Sequence, residues 1–359
     1  MWAEPTSLQS FAAGSTPVGS AGLFGLSGAI RQVSNGRIFN ILNCDSFTSV
    51  KRQVGLDAVR IVGIVAIVAG HVWTTEESRW LVYPWHVPLY FVLSGRLWTR
   101  KREFGPDVRT RLRTLLLPYV SWLLIIGALL AASLVARGWP FTADGVYRFL
   151  LGGSYLGRPF SAFWFVTCLF TAGVVLRLLQ RFPLWVPTAI AVVGLVVAYI
   201  SPEVVAAVPW AAGTAIPALI FVLAGYGLKV WSPRRPVLVG VTALTVGIIL
   251  VATRLAEPVN IKSSEFGTPV LSVVAAICIS GGLILLGEKA FERAGERVSK
   301  AVTMLAAAGL VVILTHAAVL SALRIDPIIV FAAALVLPWL LGLVLLRIPG
   351  TRFLTGARA

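Results

Sequence analysis

An arginine and a histidine, Arg60 and His71, stand with ten residues between them inside the apolar run GLDAVRIVGIVAIVAGH. Hydrocarbon penalises an ionisable side chain unless a partner or a cavity compensates it, so both positions are candidates for function. Eleven steps of about 100° return His71 to within roughly 20° of the Arg60 face, about 16 Å further along the axis. One helix face therefore carries a fixed cation near one end and a titratable imidazole near the other. Such a face suits a long anionic ligand lying along the helix with its reactive end at the histidine. Asp57 lies three residues before Arg60, on the same turn, and is placed to compensate its charge.

The chain has two further histidines, His86 in YPWHVPLYFVLSG and His316 in VVILTHAAVL. Alone, each reads as a satisfied structural donor in an apolar segment. Together with His71 they fall at one depth of the expected helices, and a neutral imidazole in a dry site is the natural general base toward a hydroxyl. The longest basic connection runs from Arg96 to Arg113 and contains Arg96, Arg100, Lys101, Arg102, Arg109, Arg111 and Arg113. It has two readings. One is a stop-transfer loop. The other is a polyanion clamp, since guanidinium forks bind phosphate bidentately. Its place beside the Arg60 end of the first helix favours the clamp. The three cysteines, Cys44, Cys168 and Cys278, are scattered without ligand spacing, so no metal site is expected.

These residues need a membrane to position them. Of 359 residues, 57% are hydrophobic and only 13% are charged, about half the charge of a soluble domain. Apolar stretches of near 20 residues recur along the chain, which predicts an all-α polytopic membrane protein of about ten transmembrane helices. The expected spans are 56–74, 82–98, 112–136, 160–181, 184–200, 205–230, 236–253, 268–287, 300–322 and 326–346. The net charge of +16 does not point to nucleic acid, because Lys and Arg sit in the connections between runs. With both termini in the cytoplasm, only Arg79, Arg137, Arg148, Arg158, Arg254, Lys262 and Arg324 of the 31 basic residues fall outside, as the positive-inside rule requires. Residues 1–50, rich in Gly, Ser and Ala, read as a flexible cytoplasmic leader. Residues 51–350 read as the membrane domain and 351–359 as a cytoplasmic tail. The outer loop near 137–159 carries aromatics and glycines suited to an interfacial helix or an acceptor site.

Several segments together resemble the acyltransferase-3 family of integral membrane acyltransferases, and within it the fucose 4-O-acetylase-like group. They are LDAVR with the Arg60–His71 spacing, HVPLYFVLSG at 86–95, RTRLRTLLLPYVSW at 109–122, FWFVTCLF at 163–170 and LTH at 314–316. The resemblance implies transfer of an acyl group, often acetyl, from cytoplasmic acyl-CoA to a carbohydrate or glycolipid at the outer face. Acyl-CoA (acetyl-CoA) would be a co-substrate, and no bound cofactor is implied. The resemblance makes His71 the catalytic base and puts Arg60 and the basic loop, through Arg109, Arg111 and Arg113, at the CoA phosphates. Asp57, His86, His316 and Trp164 become supporting or acceptor-site residues. The compartment implied is a bacterial inner membrane, with the bilayer, acyl-CoA and a carbohydrate or glycolipid acceptor as partners. Two departures stand out: the spacing of the loop arginines differs from the usual Arg-x-x-Arg, and Arg96 follows SG at 94–95. The membrane part is expected to act alone or to pass its acyl group to a separate protein. The competing reading is a transporter or flippase whose polar residues line a path; the missing internal repeat and the scarcity of acidic residues weigh against it.

Overall fold

The computed structural model describes residues 53–140 and 142–357; the leader assigned to residues 1–50 lies outside them. The described chain is helical, and its only β feature is an isolated bridge between Asn260 and Glu265. Among the described residues, six helices are long and apolar enough to cross a membrane. They are α1 (Gln53–Val72), α4 (Phe104–Ala136), α8 (Pro209–Trp231), α10 (Leu271–Ala290), α11 (Glu296–Ala322) and α12 (Pro327–Leu345). Three shorter apolar helices join them: α6 (Phe163–Leu179), α7 (Trp185–Ile200) and α9 (Pro236–Ala252). The remaining labelled elements are α2 (Glu76–Val82), α3 (Pro88–Arg96), α5 (Ala143–Leu151) and the terminal turn α13 (Arg352–Thr355).

The second expected span departs from the sequence reading. Instead of one helix over 82–98, the chain forms α2, a turn over 83–87 and then α3. Pro84 and Pro88 explain the break. Each removes a backbone donor that a continuous helix would need, although Tyr83 and Val87 before them keep helical dihedrals. At nine residues α3 is only about 14 Å long. It nevertheless carries the chain from the His71 end of the bundle to the Arg60 end.

α1 is the packed centre. Gly55 lies against the backbone of Gly287 and Glu288 in α10, Gly63 against the ring of Tyr90 in α3, and Ile64 against Gly309 in α11. The Tyr90 hydroxyl donates to the Arg60 carbonyl at 2.8 Å, tying α3 to the middle of α1. Further out, α3 packs on α8, α9 on α10 and α11 on α12. The outward faces of α4, α9 and α12 remain rich in exposed Leu, Val and Ile, as lipid-facing helices require.

Two local features shape the Arg60 end. α4 passes through one π-helical turn over Leu112–Leu116 just before Pro118, which has no N–H for the Thr114 carbonyl. Against that carbonyl packs Gly356, at φ +66°, where a side chain would collide with the oxygen. The segment expected as a tail therefore includes α13, and the Leu354 carbonyl accepts from Trp122 Nε1 at 2.9 Å.

Candidate active site

His71 occupies the last turn of α1, where four elements converge on it. From α11, His316 brings its ring into edge contact, with centroids 5.0 Å apart and planes at 69°. The approach to α6 supplies Ser161, whose Oγ lies 3.5 Å from His71 Nδ1. Arg158, in the same approach, donates to the His71 carbonyl at 2.6 Å. His86, in the turn between α2 and α3, is buried and near enough to act electrostatically on His71, as are Arg158 and Lys262. The three histidines expected at one depth are therefore neighbours.

The loop between α9 and α10 closes this end. Lys262 donates from Nζ to the Leu156 carbonyl at 2.6 Å, and burial pushes its ammonium below the ordinary lysine range. Thr214 and Ser264 share a buried hydrogen bond of 2.7 Å that fixes the loop to the start of α8. Three residues beyond His71 in the chain, Thr74 begins the lining of a cleft of about 660 Å³ that also includes Glu76, Trp80, Tyr199, Glu257 and Glu265. Its rim is latched by an ion pair of Glu76 with Arg254 at 2.7 Å, which holds the Glu76 carboxyl below its ordinary value. The Arg254 guanidinium also covers the Trp80 ring at 4.6 Å.

At the other end, Arg60 pairs with Asp57, the charge compensation expected from their spacing. A third of the Arg60 side chain remains exposed, so it stays open to a second anion. The loop arginines divide. Arg111 is engaged: its Nε donates to the buried Asp107 at 2.9 Å, and its guanidinium lies over Gly173 and 5.3 Å from the Trp98 ring. Asp107 also accepts from Arg177 at 3.1 Å, and the Arg177 guanidinium stacks 3.9 Å from the Trp98 ring. Arg109 and Arg113 are exposed. Arg96, the departure after SG, forms a buried two-pronged pair with Glu288 at 3.0 and 2.8 Å. That pair joins α3 to α10 and takes Arg96 out of consideration as a free phosphate ligand.

Trp164 is buried in the first turn of α6 and packs edge-on against Phe165 at 6.3 Å, as a packing residue would. Outside the bundle, Val146, Tyr147 and Leu150 of α5 are exposed, in keeping with an interfacial helix over 137–159. Among the described residues, no three His, Cys, Asp or Glu side chains form a metal-ligand set. Sequence reasoning did not single out Ser161, Asp107, Arg177, Glu288 or Lys262. For Asp107, Arg177 and Glu288 a signal existed: each is a charge within or beside an apolar helix. Ser161 carried none.

In chemical terms, the arrangement offers an imidazole with one nitrogen facing a serine, a second imidazole touching it, and cations on the same side. About 16 Å away along one helix it offers a partly exposed arginine beside an arginine-rich surface. Comparison with known families finds a match to the model described as an acyltransferase domain (Acyl_transf_3) over residues 53–355. No curated protein and no solved structure matches.

Proposed function

The chain belongs to this acyltransferase-3 family, which covers well over half its length, and from that membership we propose a specific reaction. The protein is a membrane O-acyltransferase. It moves an acyl group, acetyl by preference, from cytoplasmic acyl-CoA to a hydroxyl of a cell-envelope carbohydrate or glycolipid. The observation that carries this reading is the placement of Arg60 near the middle and His71 in the last turn of one central helix, eleven residues apart.

In this reading Arg60, Arg109 and Arg113 meet the phosphates of CoA, and its pantetheine arm lies along α1. The thioester then reaches His71 from one side, while the acceptor enters by the cleft of Trp80, Tyr199, Glu257 and Glu265 from the other. Ser161 Oγ accepts a long hydrogen bond from His71 Nδ1–H, leaving Nε2 as the base. The acceptor hydroxyl attacks the thioester carbonyl, forming a C–O bond, and His71 Nε2 takes its proton. Collapse of the tetrahedral oxyanion breaks the C–S bond, and the proton passes from His71 to the leaving sulfur. Arg158 and Lys262 set a positive potential where that oxyanion develops. The helices run in a bacterial inner membrane, with both termini of the membrane domain on the cytoplasmic side and about ten passes. The uneven spread of basic residues supports this orientation.

Membranes containing wild-type or His71→Ala protein, supplied with radiolabelled acetyl-CoA, envelope lipids and glycans, test the reading. Label on a lipid or glycan only with wild type is the expected result. Removal of a general base costs about 10²- to 10⁴-fold. Equal labelling with the His71→Ala protein would refute the base, and no labelling with folded wild type would refute the reaction.

A further inference from the structure

One member of the histidine cluster is left unused by the reaction above. Among the described residues, Ser280 Oγ and His316 Nε2 are the buried side-chain atoms with no hydrogen-bond partner. A serine hydroxyl turns freely and can bond the carbonyl of its own preceding turn. An imidazole nitrogen has no such freedom. His316 Nδ1 lies 2.9 Å from the Val312 carbonyl, which only accepts, so Nδ1 holds the proton and Nε2 is a bare lone pair. The residue is 0% exposed and its ring touches that of His71. An unpaired buried acceptor is destabilising, yet this one stands where His71 works.

The charges around His71 say what the lone pair is for. The groups acting on it are the imidazoles of His316 and His86 and the cations Arg158 and Lys262, and Arg158 acts on His316 as well. His86 has its own Nδ1 tied to the Val82 carbonyl at 2.9 Å. None of these groups is a carboxylate. Once His71 takes a proton, it becomes an imidazolium facing two cations, without the carboxylate that steadies the imidazolium in hydrolytic triads. The fixed lone pair beside it is His316 Nε2.

We propose that His316 is a positioning residue for the transfer: once His71 is protonated at Nε2, its Nδ1–H, only loosely held by Ser161 at 3.5 Å, is shared with the lone pair of His316 Nε2. The proton stays on His71 until it passes to the leaving sulfur, so no electron changes hands and His316 ends as it began. This role rests on His71 being the base.

The test compares wild type, His316→Phe and His316→Gln in membranes given labelled acetyl-CoA with envelope lipids and glycans. His316→Phe removes the lone pair at similar volume and is expected to lower kcat about 10²-fold. Its KM for acetyl-CoA should stay within about twofold of wild type, because no ground-state contact is lost. Its melting temperature in detergent should not fall, because the unpaired acceptor is gone. His316→Gln keeps an acceptor oxygen and should recover kcat to within about tenfold of wild type. The shape of the kcat–pH profile should change in the Phe variant and return in the Gln variant. Unchanged kcat in His316→Phe overturns the proposal, as do equal losses in both variants that track a lower melting temperature. His71→Ala protein with wild-type transfer would instead overturn the base assignment, whatever the His316 variants do.

Discussion

Lys262 shows how burial at this site makes stability depend on pH. Its ammonium is largely withdrawn from water and bonded to one carbonyl, and burial lowers the pH at which it loses its proton from the ordinary 10.5. Between that lowered value and 10.5 the unfolded chain holds a proton that the folded chain has released. Stability therefore rises with pH across this window, and the cost of the buried charge is fully present below it. Wild type should gain melting temperature relative to Lys262→Met as detergent buffers are raised toward pH 10.5, and a parallel pair of curves would contradict this. The loop arginines separate by the same logic of partners. Arg111→Ala deprives the buried Asp107 of a partner and should cost about 2–4 kcal/mol of stability. Arg109→Ala and Arg113→Ala touch exposed side chains and should stay within about 0.5 kcal/mol. If CoA binds as proposed, these two raise the KM for acetyl-CoA, and melting curves beside steady-state kinetics would show the split. Spacing alone singled out Arg60, Asp57 and His71, because intramembrane charge is rare. The i,i+4 spacing of Asp107 and Arg111 within α4 held a further local pair, whereas the reach of Arg177 to Asp107 depends on how α4 and α6 meet.

Elements here are held by close backbone approaches as much as by side chains. Gly95 of α3 and Gly225 of α8 face each other, and a Cβ on either would run into the backbone of the other helix. Gly227, two residues on, has nothing within 4 Å of its Cβ position. The two glycines should answer oppositely to the same substitution. Gly227→Ala relieves the conformational cost of glycine and should stabilise α8 by about 0.5–1 kcal/mol. Gly225→Ala gains the same term but forces the helices apart, an overpacking cost of about 1–3 kcal/mol that outweighs it. Thermal unfolding in detergent should place the two variants on either side of wild type, and a rise for both would mean that α3 and α8 do not pack this closely. Apolar runs and breakers made most helices legible, including both ends of α7 and the start of α9. The second span was misread because its hydropathy stays continuous through YPWHVP. Pro84 and Pro88 outweigh that continuity, and the turn they make is what brings His86 into the site. Pro118 marks the π-helical turn in α4 locally, but the packing of Gly356 on the Thr114 carbonyl, more than two hundred residues away in sequence, left no local trace.

At the scale of the whole molecule, the arrangement sorts charge and chemistry to opposite ends. Asp57, Arg60, Arg96, Glu288 and the Asp107 cluster gather at one end, and the histidines, Lys262, Arg158 and the Glu76–Arg254 latch at the other. This division was legible in outline, because the basic connections alternate with poorly charged ones. The cleft was not, since its lining comes from four separate stretches of chain. The reaction proposed needs the two ends to face different compartments, with acyl-CoA meeting the arginine end and the acceptor meeting the histidine end. Single cysteines read this directly. Glu103 is exposed beside the arginine cluster and Glu257 is exposed on the cleft, while native Cys168 is buried. In a background with Cys44 and Cys278 replaced, a membrane-impermeant maleimide should label Glu257→Cys in intact spheroplasts and leave Glu103→Cys untouched. Inside-out vesicles should reverse the pattern. Labelling of Glu103→Cys from outside would turn the molecule over and leave the arginines proposed to bind phosphate on the wrong side for cytoplasmic acyl-CoA. Labelling of both from one side would mean that the arginine and histidine ends open to one compartment, and the one-helix route from donor to acceptor would fail with it.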